Sequence, residues 1–239
     1  MQFWGVLALL VLAGCAIQPS KPKVLQGEVL TFLEKQPGES QQVVRYLVTS
    51  EYLRMDVSGE TGVYRLFDRQ RQQLYVVNGN KQEVLVGPAG IAALADIELP
   101  WQQTQEDSQA IPRDNQTQEG SGAVYYRLDL AGKACLELVA VDGLLPEGQL
   151  ALQEYRAYQA DMRQSRGPSS SLTSAQQACY QAVFVQQPQQ AFAFGFPLRE
   201  WSVSGHQRFL QDAKTDIKFE KQLFDVPKKY SYKKLLSVP

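Results

Sequence analysis

Between Val43 and Val86, short apolar-alternating segments follow one another with only a few polar residues between them, and no other feature of the chain restricts its fold so tightly. Leu53, Met55 and Val57 alternate with Tyr52, Arg54 and Asp56. That is the two-residue period of a pleated strand with one buried face and one wet face, the pattern of an antiparallel sheet. Residues 63–68 and 74–77 continue it, with polar breaks at Ser58-Gly59-Glu60-Thr61-Gly62 and at residues 68–72. Asn78-Gly79 supplies the residue pair that a two-residue hairpin with positive φ requires. Turns this short predict a meander. A twisted sheet of many strands curls, and curling creates a concave face that something must fill.

The 239 residues suffice for one sizeable domain or two small ones. Lys and Arg number 24 against 25 Asp and Glu, a balance that argues against binding nucleic acid or another polyanion. A hydrophobic fraction of 44% is enough for a packed core and excludes disorder of the chain as a whole. No Walker, dinucleotide or zinc-ribbon pattern occurs, and no fixed repeat stands out beyond the strand-and-turn rhythm.

The run from Phe3 to Ala13 is apolar and uncharged but too short to span a bilayer as a permanent helix, and it suits the core of a signal peptide. Leu12-Ala13-Gly14-Cys15 resembles the lipobox of bacterial lipoproteins. The resemblance implies that residues 1–14 are removed and that Cys15, acylated, anchors the mature protein. Residues 15–23 then form a lipidated N-terminus and polar linker, and residues 24–239 one domain. Acyl chains at about 0.8 kcal/mol per buried CH₂ give a membrane attachment that is close to permanent. Met1-Gln2-Phe3-Trp4 departs from the pattern in lacking Lys or Arg. Ala, not Asp, at position 16 implies the bacterial outer membrane, with the domain facing the periplasm. After processing, Cys135 and Cys179 remain, and an oxidising compartment favours pairing them; two buried free thiols are the alternative.

After the linker, residues 24–33 and 42–49 read as the first two strands. Residues 91–95 suit a helical turn, and 102–122, polar and acidic, a surface loop. Residues 123–130 and 134–141 read as a strand pair around Ala131-Gly132-Lys133. At 146–166 the period changes: Ala151, Tyr155, Tyr158 and Met162 make one apolar helical stripe, expected to lie on the sheet as core. Gly167-Pro168 ends that helix. Thr173-Ser174-Ala175-Gln176 reads as a capping box for a second, short helix presenting Ala175, Cys179, Ala182 and Val183. Residues 191–204 read as a strand region interrupted by Gly195-Phe196-Pro197 and turned at Ser204-Gly205-His206, and 208–212, 217–222 and 229–235 complete the strands.

The order of strands, Tyr52-Leu53-Arg54-Met55-Asp56, Leu66-Phe67-Asp68, Leu74-Tyr75-Val76-Val77 and the late Phe224-Asp225-Val226-Pro227-Lys228-Lys229-Tyr230 together resemble the carrier and receptor of bacterial lipoprotein localisation. That resemblance implies an α+β fold: a large curved antiparallel sheet, an incomplete β-barrel, with two or more helices packed on its concave side. It also implies an apolar concavity able to hold a lipid or an acylated protein, though no ligand-binding residue can be matched one by one.

The chain is expected not to be an enzyme. His206 has Ser202 and Ser204 nearby but no Gly-x-Ser-x-Gly elbow exists, so it reads as a surface-turn histidine, and no catalytic residue is assigned. A single histidine and widely spaced cysteines make a metal site improbable, and no cofactor is called for. Asp212, Asp216 and Glu220, with Lys214, Lys218 and Lys221, suit either a strand or an exposed helix. The basic ending at 228–234 suits a protected edge strand or a patch for anionic lipid or an acidic partner. Two classes of function stay open: a module that binds a hydrophobic ligand, and an accessory envelope lipoprotein with a filled interior that acts by protein contact.

Overall fold

The computed structural model describes residues 23–90, 97–107, 122–164 and 172–235. The signal peptide, Cys15, the helical turn at 91–95 and the helix stop at Gly167-Pro168 lie outside these residues. The alternating stretch forms six consecutive antiparallel strands: β1 (Val24–Lys35), β2 (Gln42–Thr49), β3 (Tyr52–Val57), β4 (Val63–Asp68), β5 (Gln73–Asn78) and β6 (Glu83–Ala89). Leu53, Met55 and Val57 are buried, as their period requires. With Leu30, Phe32, Val44, Tyr46, Phe67 and Leu74 they belong to one apolar cluster. The opposite face is not simply wet. Leu25, Leu47 and Leu66 pack with Phe219 and Phe224, the latter from a 3₁₀ turn at Lys221–Phe224. Tyr52 stacks on Phe224, and Arg54 lies 4.0 Å above the Tyr64 ring while donating to the Leu223 carbonyl at 2.6 Å.

Asn78-Gly79 does not make a two-residue hairpin. Asn78 pairs with Glu83, so residues 79–82 form a four-residue loop in which Gln82 takes φ 49°. The preceding hairpin is its counterpart: Asp68 pairs with Gln73, and Gln72 takes φ 48°. In each, a side chain at the strand end holds the loop. Asp68 Oδ1 accepts from the Arg71 N–H at 3.0 Å, and Asn78 Oδ1 from the Lys81 N–H at 3.0 Å. These are short polar side chains mimicking a backbone turn at the same place in successive hairpins.

Among the described residues the sheet is completed by β7 (Gln102–Asp107), β8 (Val124–Leu130), β9 (Lys133–Val141), β10 (Phe196–Ser202), β11 (Gln207–Glu220) and β12 (Ser231–Lys234). The order is β12-β6-β5-β4-β3-β2-β1-β11-β10-β9-β8-β7, an open sheet of twelve strands. Four expectations are corrected. Gln190–Phe194 forms a 3₁₀ turn and not strand, which begins only at Phe196. Residues 102–107 are a strand and not loop, because β8 supplies backbone partners that an all-polar sequence does not advertise. The sheet is mixed and not wholly antiparallel, since β12 runs parallel to β6. The two strands expected at 208–212 and 217–222 are one, interrupted by register shifts against β1, with Asp216 at φ 57°. This also excludes the helical reading of its acidic residues.

Among the described residues two α-helices accompany the sheet, α1 (Pro146–Gln164) and α2 (Ser174–Gln181), the second continued by a π turn at Ala182–Gln186. The stripe on α1 is apolar for the reason its period indicated. Ala151, Tyr155 and Tyr158 are buried, and both tyrosine rings lie within 5.6 Å of Phe67. Arg69 donates to the Thr49 carbonyl at 2.6 Å, to Glu154 Oε2 at 2.5 Å and to Glu147, joining α1 to the meander. Gly87 allows the close approach of Tyr158, whose hydroxyl would lie 2.0 Å from a Cβ at that position. Thr173 and Gln176 form the capping box of α2. Cys135 of β9 and Cys179 of α2 form a disulfide.

Candidate functional site

Strand register assembles a polar row inside this framework. Gln42 of β2 lies opposite Glu34 of β1, Glu34 opposite Arg208 of β11, and Arg208 opposite Glu200 of β10. Directly opposed residues share a face of the sheet, so one carboxylate flanks Arg208 on each side. Helix α1 adds Arg156, whose Nη2 donates to Glu200 Oε2 at 2.5 Å; Arg208 Nη2 donates to the same oxygen at 3.5 Å. The Tyr46 hydroxyl donates to Glu34 Oε1 at 2.7 Å.

These groups are in the interior, with Glu200 0%, Arg208 5%, Arg156 7% and His206 9% exposed. Each guanidinium lies over an aromatic ring: Arg156 4.9 Å from the Phe192 centroid, Arg208 4.8 Å from that of Phe32. Polar satisfaction is incomplete. Arg156 Nη1, Glu200 Oε1, His206 Nε2 and Arg208 Nε have no hydrogen-bond partner. Unpaired buried polar groups are uncommon in native interiors and call for an explanation.

The electrostatics follow from burial against nearby charge. Burial alone would raise Glu200, but Arg156 and Arg208 outweigh it and hold the carboxyl at about 2. Burial pushes His206 down to about 3, although Glu200 pulls the other way. Glu34 is raised, burial exceeding the pull of Arg208 and the Tyr46 hydrogen bond. It keeps accessible surface while lying deep, because the surface it retains belongs to a cavity. Burial and then the Glu34 charge raise Tyr46 well above its ordinary value.

That cavity measures about 840 Å³. It is lined by the apolar Val44, Met55, Val57, Leu152 and Tyr155 and by the charged Arg65, Arg156, Arg163, Arg208, Glu34, Glu39 and Glu60. The volume falls in the roughly 300–1,000 Å³ range of sites that enclose small ligands.

His206 is not the surface-turn residue expected from the sequence. It is buried, edge-on to Phe184 at 5.1 Å, with Nδ1 3.4 Å from Gln36 Oε1. Ser202 and Ser204 bond each other at 2.7 Å, so the structure brings the three residues near in sequence but not into a relay. Cys135 and Cys179 are brought together, and Cys15 lies outside the described residues. No group of three or more metal-ligating side chains occurs among the described residues. Sequence reasoning missed Glu34, Arg156, Glu200 and Arg208. The available signal was slight: Arg199-Glu200 sits between Leu198 and Trp201, and Arg208 precedes Phe209-Leu210.

The architecture defines a class, an α+β protein on a large open mixed sheet. No protein-family model and no curated protein sequence matches the chain. Among solved structures it is similar to an uncharacterized conserved protein from Thermus thermophilus, with a TM-score of 0.40 and 10% identity over 90% of this chain and 92% of that one. It is also similar to PNGF-II in its C2 crystals, with a TM-score of 0.41 and 12% identity over 88% of this chain. The chain spans about a third of the length of PNGF-II, 31%.

Proposed function

We propose that this protein is a lipid-anchored binding module of the bacterial envelope, which takes a lipid or the acyl chain of an acylated protein into the space between its sheet and its helices. In this reading the sheet is an incomplete barrel, α1 and α2 occupy its concave side, and acylated Cys15 holds the domain at the periplasmic side of the outer membrane. The single observation that carries the reading is the 840 Å³ cavity lined in part by the apolar Val44, Met55, Val57 and Leu152. An accessory lipoprotein acting only by surface contact has no use for such a space. The reading includes no catalysis, no cofactor and no nucleic acid.

Native mass spectrometry of a soluble form beginning after Cys15, isolated from a bacterial periplasm, tests the ligand. A retained adduct of lipid mass, or uptake of an added acyl ligand, is the expected result. A bare protein that takes up no acyl ligand sinks the reading. Radiolabelled palmitate incorporation into the full chain, lost in Cys15→Ser, tests the anchor.

A further inference from the structure

We infer that the ligand is an amphiphile whose polar end is an anionic oxygen group, a carboxylate or a phosphate, seated against Arg156 and Arg208. The inference rests on the cavity reading above and adds the chemistry of the head group.

Three observations carry it. First, two guanidiniums more than nine-tenths buried share one oxygen of one carboxylate, Glu200 Oε2. Each keeps a buried nitrogen without an acceptor, Nη1 of Arg156 and Nε of Arg208. Glu200 Oε1 likewise has no donor, so the cluster is short of partners of both kinds, and an unpaired group costs most when it is charged. Second, both guanidiniums line the cavity while resting on Phe192 and Phe32. With Nη2 of each already given to Glu200, the other in-plane N–H groups are what a carboxylate or phosphate would meet. Third, Arg65 and Arg163 also line the cavity, giving it four guanidiniums against the carboxylates of Glu34, Glu39, Glu60 and, bonded to Arg156 and Arg208, Glu200. Water entering the site would supply acceptors but no negative charge.

The opposing charges set the register of the ligand. Glu34, tied to Tyr46, repels an anion from the β1 side of Arg208, and Glu200 does so from the β10 side. The space between α1 and the sheet is what remains for the head. The apolar strip of Val44, Met55 and Val57 then receives the tail.

The test compares three probes of equal chain length, dodecanoate, dodecyl phosphate and dodecan-1-ol, by titration calorimetry with the wild-type protein near neutral pH. At least one anion is expected to bind tenfold or more tightly than the alcohol, and the tighter of the two identifies the head group. Equal binding of all three overturns the anionic head while leaving the cavity reading intact. Binding of none overturns the cavity reading itself. Arg208→Gln is expected to reduce the anion's advantage over the alcohol to less than about threefold; an undiminished advantage in a folded variant removes Arg208 from the site. Should that variant not fold, ¹⁵N spectra of the arginine Nε–H groups in the wild type decide instead. Shifts of Arg156 and Arg208 on adding the anion support the assignment, and stationary resonances overturn it.

Discussion

Glu200 and His206 make the interior of this protein sensitive to acid. The folded imidazole stays neutral to about pH 3, whereas in the unfolded chain it takes a proton near pH 6.5, so acidification across that window favours unfolding. Glu200 acts in the same direction lower down. Its stabilisation is complete above the ordinary carboxylate value of 4.5 and is lost as pH falls towards about 2. Glu34 has the opposite sign, because its raised pKa lets the folded state keep a proton that the unfolded chain releases above 4.5. The expected outcome is a lower urea midpoint at pH 4.5 than at pH 7.5, with His206→Gln removing about 3 kcal/mol of that difference. A variant with the same pH slope as wild type contradicts the burial of His206. At Arg69, replacement by Leu leaves the Thr49 carbonyl without its side-chain donor and separates Glu147 and Glu154 from their cation. A loss of about 2–4 kcal/mol in urea unfolding is expected, below the full cost of an isolated buried pair because both carboxylates reach solvent.

Among elements, α2 depends most on a covalent tie. It is short, and the Cys135–Cys179 disulfide fixes it to β9 across 44 residues of sequence. On the loop-entropy model the bridge contributes about 4 kcal/mol, so unfolding with and without reductant should differ by that order, and an unchanged midpoint would refute the tie. For α1 the close contact is with β6. Gly87→Ala places a methyl against the Tyr158 hydroxyl, and a loss of about 1–3 kcal/mol is expected, rescued in part by Tyr158→Phe. The meander from β1 to β6 was legible in the sequence because Leu53, Met55 and Val57 bury one face, and α1 because Ala151, Tyr155 and Tyr158 bury one stripe. β7 was not, since Gln102-Gln103-Thr104-Gln105-Glu106 exposes its side chains and is held by backbone pairing alone. Gln72 and Gln82 take left-handed φ where Asn78-Gly79 carried the expected signal, because the capping carboxamide and carboxylate one turn earlier decide the loop. The pairing within the charged row could not be read. Glu34, Arg208 and Glu200 meet only through a register between the first strand and two of the last, which local patterning does not encode.

In the whole molecule the sheet has two unlike edges, β7 and β12, and both are short and rich in charged or amide side chains, which discourages pairing with other chains. Amide exchange should therefore be fastest in residues 102–107 and 231–234 and slowest in β1 and β11; uniform protection across the sheet would contradict this arrangement. The centre is different. β1, near the start of the described chain, forms its long ladder with β11, which is reached only after nine other strands and both helices. During synthesis the meander waits with an open hydrogen-bonding edge until residues 207–220 arrive. Closing so long a loop is slow, and the waiting edge is the place where a second copy or an unrelated strand would pair first. A chain cut before Gln207 would lose more than its last strands, because the half that remains would be a ready template for aggregation.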